Sequence, residues 1–238
     1  MLLEARGLRK VYEGRGVVTH ALDGVDLDVQ EGEFAALAGP SGSGKTTLLN
    51  MLGALDVPDA GRVALDGQAY ADLDAGQLAD LRLHKLGFVF QAYNLIPVFS
   101  ARENVEFVME LQGVETQVRR ARAQQVLSEV GLERLGEKRP LELSGGQQQR
   151  VAVARAIVSR PRLVLADEPT ANLDSKTAGR LLDLMGRLNA EHGVTFLFST
   201  HDPLVMEAAR RIVRLQDGCV VADEVTAPTA EPGTPEGA

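Results

Sequence analysis

FAALAGPSGSGKTTLL, residues 34–49, decides the fold. Phe34–Leu37 is a short, continuous apolar run, the pattern of a strand covered on both faces in a parallel sheet. Gly39-x-x-x-x-Gly44-Lys45-Thr46 follows at once, and then a helical apolar pattern over Thr46–Leu55. Strand, glycine-rich loop and helix in that order make a phosphate loop. The glycines Gly39, Gly42 and Gly44 let backbone N–H groups turn inward around a phosphate, Pro40, Ser41 and Ser43 complete the loop, and the helix N-terminus adds positive potential. Lys45 can reach the β- and γ-phosphates of a nucleotide. The Thr46 hydroxyl suits Mg2+, and Thr47 stands beside it in the first helical turn.

Outward from this loop, four more continuous apolar runs read as strands: Phe88–Phe90, Leu163–Ala166, Thr195–Ser199 and Ile212–Leu215. Helical patterns over Lys176–Glu191 and Pro203–Arg210 separate the later ones, so an α/β fold with a mostly parallel sheet is expected. Such sheets carry their chemistry beyond the C-terminal strand ends. Here the first strand runs into the phosphate loop, the second into Gln91, the third into Asp167 and Glu168, and the fourth into His201. Successive side chains of a strand point oppositely, so the two carboxylates are expected to divide their work. Asp167 suits the Mg2+ shell. Glu168 is then free to polarise a water for attack on the γ-phosphate. Gln91 is placed to reach Mg2+ and that water, and His201 the γ-phosphate.

The N-terminal stretches Leu2–Tyr12 and His20–Gln30 alternate more, which suggests a small antiparallel sheet, with Arg62–Leu65 joining it. Tyr12 offers an aromatic face for an adenine ring. Between Ala101 and Arg160 strand signals vanish. Val118, Ala121, Val126 and Val130 recur at near-helical spacing and Gly146–Ser159 is amphipathic, so a helical subdomain inserted at about 92–160 is expected. The folded domain is expected to span 1–225. The Pro-, Thr- and Glu-rich 226–238 reads as a disordered tail.

The chain has 238 residues, with 33 acidic against 25 basic side chains for a net charge of −8, which argues against a nucleic-acid-coating protein. The single cysteine, Cys219, excludes an internal disulfide and fits a reducing, cytoplasmic setting. MLLEARGLRK has no apolar core of a secretory leader, and no apolar run approaches the ~20 residues of a membrane span.

LSGGQQQR, residues 143–150, is a second glycine-rich stretch. Ser144-x-x-Gln147 before an amphipathic run has the form of a capping box. Gly145 and Gly146 bare the backbone N–H groups at that helix end, which makes an anion site as well. Since the phosphate loop already serves one nucleotide, this site is expected to serve the nucleotide of a second molecule.

GPSGSGKT, Gln91, LSGGQ, LVLADE, Asn172-Leu173-Asp174 and His201 come in the order and spacing of the ATP-binding-cassette ATPases, which this chain resembles over about residues 1–224. The resemblance implies a P-loop NTPase core that binds ATP and Mg2+. It implies a head-to-tail homodimer with composite sites, in which Ser144, Gly145, Gly146 and Gln147 close over the nucleotide of the other subunit and Asp174 lies at the seam. It gives Tyr12 the adenine-stacking role. QAYNLIPVFSARENV and LADEPTANLDS are similar to the bacterial lipoprotein-releasing and macrolide-exporting branch and its cell-division relative, with Ala171 and Thr46 as conservative departures. That branch implies a separate integral membrane permease-type partner, docked near Leu95, Ile96, Val98 and Phe99, and a place on the cytoplasmic face of the inner membrane. A soluble cassette acting on DNA or ribosomes is the alternative, but no tandem cassette, long coiled coil or zinc module accompanies these motifs. Intact Glu168 and His201 argue against a module that only senses ATP.

Overall fold

The computed structural model describes residues 1–14 and 17–226. Strands β1 (Leu3–Gly14), β2 (Val17–Val29), β4 (Ala60–Leu65) and β5 (Gln68–Ala69) form a four-stranded antiparallel sheet in the order β2-β1-β4-β5. The second sheet has six strands: β3 (Phe34–Ala38), β6 (Leu86–Val89), β7 (Leu163–Asp167), β8 (Thr195–Thr200), β9 (Arg211–Gln216) and β10 (Cys219–Val225). Their order is β10-β9-β3-β8-β7-β6, parallel throughout except for β10, which pairs antiparallel to β9 at one edge.

Every residue of β3 is buried, as its unbroken apolar run requires of a strand covered on both faces. Phe34, Ala36 and Ala38 pack into one hydrophobic cluster, and Ala35 and Leu37 into another on the opposite face. Helix α1 (Lys45–Leu52) follows the phosphate loop and buries Leu48, Leu49, Met51 and Leu52 against the second cluster. Its end at Leu52 falls short of the expected Leu55, because the chain turns at Gly53.

The other helices are α2 (Ala75–Lys85), α3 (Ala101–Leu111), α4 (Thr116–Glu129), α5 (Gly145–Ile157), α6 (Ser175–His192) and α7 (Pro203–Ala208). Of these, α3, α4 and α5 come between β6 and β7, and their buried faces join the first cluster. Helix α7 ends at Ala208, short of the expected Arg210, and two further elements depart from expectation. The buried stripe of α4 is Ala123, Val126 and Leu127, continued by Val130, while Val118 is exposed, so the helix is rolled relative to the spacing that starts at Val118. Strand β6 begins at Leu86 and leaves Phe90 beyond its end. The expected tail at 226–238 lies outside the described residues except for Thr226, whose hydroxyl donates to the Ala209 carbonyl at 2.6 Å.

Candidate active site at the strand ends

A cleft of about 650 Å³ opens beyond the C-terminal ends of β3, β7 and β8. The phosphate loop forms its floor, and Tyr12, Gln91, Glu168 and His201 stand around it. The loop has no freedom to carry a side chain at residue 44. Gly44 has φ 100°, and a Cβ there would lie 2.4 Å from the Ala21 carbonyl oxygen. Lys45 is nearly fully buried, and its ammonium donates to the carbonyls of Gly39 at 2.8 Å and Pro40 at 2.9 Å, bracing the loop from below. Ser41, Gly42, Thr46 and Thr47 line the cleft as expected, whereas the Ser43 side chain turns inward and is buried.

The Thr46 hydroxyl donates to Asp167, with both carboxylate oxygens at 3.2 Å. A hydroxyl and a carboxylate side by side are the hard oxygen donors Mg2+ selects, in a site completed by phosphate oxygens and water. No cluster of three His, Cys, Asp or Glu side chains suited to a metal occurs among the described residues. The Thr46 and Asp167 oxygens would fit a Mg2+ that draws its remaining ligands from outside the protein.

Glu168 lies just past β7 in left-handed backbone, φ 45°. Strand alternation therefore does not separate the two carboxylates; the left-handed turn after Asp167 does. It points Glu168 at the end of β8, where His201 Nδ1 donates to Glu168 Oε1 at 2.7 Å and the Thr200 hydroxyl donates to Oε2 at 3.3 Å. The Asp202 N–H in turn donates to the Thr200 oxygen at 2.9 Å. Such a left-handed non-glycine residue costs on the order of 1–3 kcal/mol and persists where its surroundings fix it.

Tyr12 carries its phenol to Asp56, donating to Oδ2 at 3.0 Å. The Lys10 ammonium donates to Asp56 Oδ1 at 3.0 Å and sits 5.4 Å from the Tyr12 ring centre. Burial pushes the Asp56 carboxyl up, yet hydrogen bonds from Lys10, the Val57 N–H and Tyr12 outweigh it and hold its pKa below the usual value. Gln91 is exposed at the cleft, and its carbonyl accepts from Asn172 Nδ2 at 2.9 Å. Thr200 and Asp56 are site residues that the motifs do not announce, and Asn172 lies within the Asn172-Leu173-Asp174 motif, which says nothing of its tie to Gln91. The triplet Thr200-His201-Asp202 could have exposed the first, but nothing in sequence ties Asp56 to Tyr12.

Ser144, Gly145, Gly146, Gln147 and Asp174 do not line this cleft. Ser144 caps α5 in a reciprocal box: Gln147 N donates to its hydroxyl, and Ser144 N donates to Gln147 Oε1 at 2.9 Å. The two glycines have packing reasons within the chain too. A Cβ on Gly146 would lie 2.5 Å from Thr177 Cγ2, and one on Gly145 2.9 Å from the Tyr93 hydroxyl. Asp174 caps α6, accepting from the Thr177 hydroxyl at 2.6 Å and the Thr177 N–H at 3.0 Å, which lowers its pKa. Gly146 and Asp174 thus both meet Thr177, which brings the two helix starts onto one surface.

The family model described as ABC transporter matches residues 22–171, from β2 through the phosphate loop and past Glu168. The chain belongs to the ABC transporter family. This cassette is 47% identical over 94% of its length to the lipoprotein-releasing system ATP-binding protein LolD of Chromohalobacter salexigens, covering 94% of that protein. It is 47% identical over 98% of its length to a macrolide export ATP-binding/permease protein MacB of Paracoccus denitrificans, but spans only 35% of that protein. A dimeric ATP-binding cassette in a post-hydrolysis state, bound to ADP and Pi, matches the cassette with TM-score 0.88 at 42% identity, covering 96% of this chain and 100% of that one.

Proposed function

We propose that this cassette binds and hydrolyses ATP to power a membrane transporter or mechanotransmission complex of the lipoprotein-release and macrolide-export type. The observation that carries the reading is Glu168, clamped between His201 and Thr200 beside the phosphate loop. Glu168 acts as general base on the attacking water. His201 donates from Nδ1 to Glu168, and with both ring nitrogens protonated it also donates from Nε2 to the γ-phosphate. Lys45 and the loop N–H groups hold the β- and γ-phosphates, and Tyr12 stacks on adenine. Mg2+, when bound, neutralises charge on the phosphate oxygens; Thr46, Asp167 and Gln91 are the residues that would hold it.

The N-terminus of α5 is the part offered to a second copy. Ser144, Gly145, Gly146 and Gln147 close over the γ-phosphate bound to the partner, with Asp174 at the seam. The dimeric state of the solved cassette with ADP and Pi supports this arrangement. A groove lined by Leu83, Phe88, Phe90, Val108 and Leu111 suits a membrane permease-type partner. The expected Leu95–Phe99 cluster extends that surface through exposed Val98, while Leu95 packs on the core and Phe99 packs edge-on against Phe107. No helix among the described residues is long and apolar enough to cross a membrane. We place the cassette at the cytoplasmic face of the inner membrane through that permease.

Glu168→Gln tests the assignment. The variant is expected to bind ATP, lose at least a hundredfold in turnover, and accumulate as a nucleotide-bound dimer in size-exclusion chromatography. A monomer with ordinary turnover would remove Glu168 as the base.

A further inference from the structure

The last turn of α5 carries a cation that pairs with no carboxylate among the described residues. Arg155 is half-buried, and burial draws its guanidinium pKa below the ordinary arginine value. Its Nη1 donates to the Asn94 carbonyl at 2.5 Å and its Nη2 to the Tyr93 carbonyl at 2.9 Å. These are successive carbonyls of the loop that begins at Gln91. Both residues are left-handed, with φ 60° at Tyr93 and 48° at Asn94. Such a double left-handed turn takes the loop off any strand ladder and leaves its carbonyls in need of donors. A planar guanidinium fork meets two adjacent oxygens at once, which an ammonium on a flexible stem does not.

The same loop is held at the other end of α5, where the Tyr93 hydroxyl lies so close over Gly145 that a Cβ there would stand 2.9 Å away. The Gln91 carbonyl is held separately by Asn172. Arg155 also lines the apolar groove with Phe88 and Leu83, where an apolar side chain would carry no desolvation penalty. A cation kept there without a counter-ion points to the loop carbonyls as its purpose.

We propose that Arg155 is a positioning residue for Gln91. It fastens the Gln91 loop to α5, so that the loop entering the nucleotide cleft and the Ser144–Gln147 end of the helix move as one body. The proposal rests on the reading of Gln91 as a group that reaches the nucleotide site.

The test is a double-substitution cycle on MgATP turnover by the full chain, using Arg155→Met, Gln91→Ala and the pair, each checked for folding by circular dichroism. Arg155→Met is expected to lower kcat about tenfold while the KM for ATP stays within twofold. In the Gln91→Ala background the same change is expected to lower kcat less than twofold, because the residue it positions is gone. Arg155→Lys, with one point donor, is expected to recover part of the loss. Equal losses in both backgrounds would overturn the proposal, since Arg155 would then act on the fold at large. A normal kcat for Arg155→Met beside a crippled Gln91→Ala would also overturn it. An unchanged kcat in Gln91→Ala overturns the reading of Gln91, and the proposal with it. If the Met variant fails to fold, Arg155→Gln, which keeps amide donors on a shorter reach, enters the same cycle with the same expected non-additivity.

Discussion

Glu168 owes its direction to one dihedral. Its left-handed backbone lifts the carboxylate off the strand line and hands it to His201 and Thr200. Tyr12 owes its direction to a single partner, since its phenol is tied to an Asp56 that is itself held by Lys10. Base–aromatic stacking contributes about 1–3 kcal/mol, so Tyr12→Ala is expected to raise the KM for ATP about tenfold. Asp56→Ala frees the ring without removing it and should raise the KM about threefold, with kcat unchanged in both variants. Steady-state kinetics check this, and an unaltered KM in Tyr12→Ala would remove the ring from the nucleotide site. At this scale the sequence is legible in placement: Gln91, Glu168 and His201 line one cleft beyond the strand ends, and Asp167 meets Thr46 beside it. It is silent on Asp56, which reaches Tyr12 only through folding.

Among the elements, those that bury a full face announce themselves and those that do not stay hidden. Strand β3 and helix α1 are plain because nearly every apolar residue in them is covered. Helix α2 is not, because Leu81 is its only buried residue and its apolar spacing is correspondingly faint. Its start is fixed instead by the Asp74 capping box. The edge strand β10 is hard to see for a related reason: it is mostly exposed, with Val221, Asp223, Glu224 and Val225 open to solvent, and it pairs antiparallel with β9 at the sheet edge. There Arg211 donates to both oxygens of Asp223 and holds that carboxyl below the usual range, against the opposing effect of burial. A carboxylate whose pKa is lowered on folding adds stability that is complete above its unfolded pKa, near 4, and lost as the pH falls through the folded value. Strand β10 is therefore expected to loosen below about pH 4, seen as faster amide exchange over Cys219–Val225. Asp223→Asn should show faster exchange already at neutral pH and little further change on acidification.

For the whole molecule, the proposed work belongs to two copies and not to one. A subunit carrying Ser144→Arg and a subunit carrying Lys45→Ala are each expected to be inactive alone. In a head-to-tail pair of the two, one composite site combines both lesions and the other combines neither. Mixing them should restore a measurable fraction of wild-type turnover, while continued inactivity of the mixture would count against sites shared between subunits. Motif order leads to the expectation that the Ser144–Gln147 stretch serves a second molecule's nucleotide, and within this chain those residues do lie outside the cleft. What the fold adds is the contact itself: the starts of α5 and α6 meet through Thr177, which Gly146 and Asp174 both touch.

The place of β3 in its sheet also bears on how the protein is made. The strand that launches the phosphate loop pairs only with β8 and β9, about 160 to 180 residues further along the chain. At ribosomal rates of roughly 5–20 residues per second, that strand waits on the order of 10–40 s after synthesis for either neighbour to exist. Throughout that interval the nascent chain holds a complete phosphate-loop sequence without the two strands that flank β3 in its sheet. The growing polypeptide therefore has to shield Phe34–Ala38 by other means until the codons for β8 and β9 have been read.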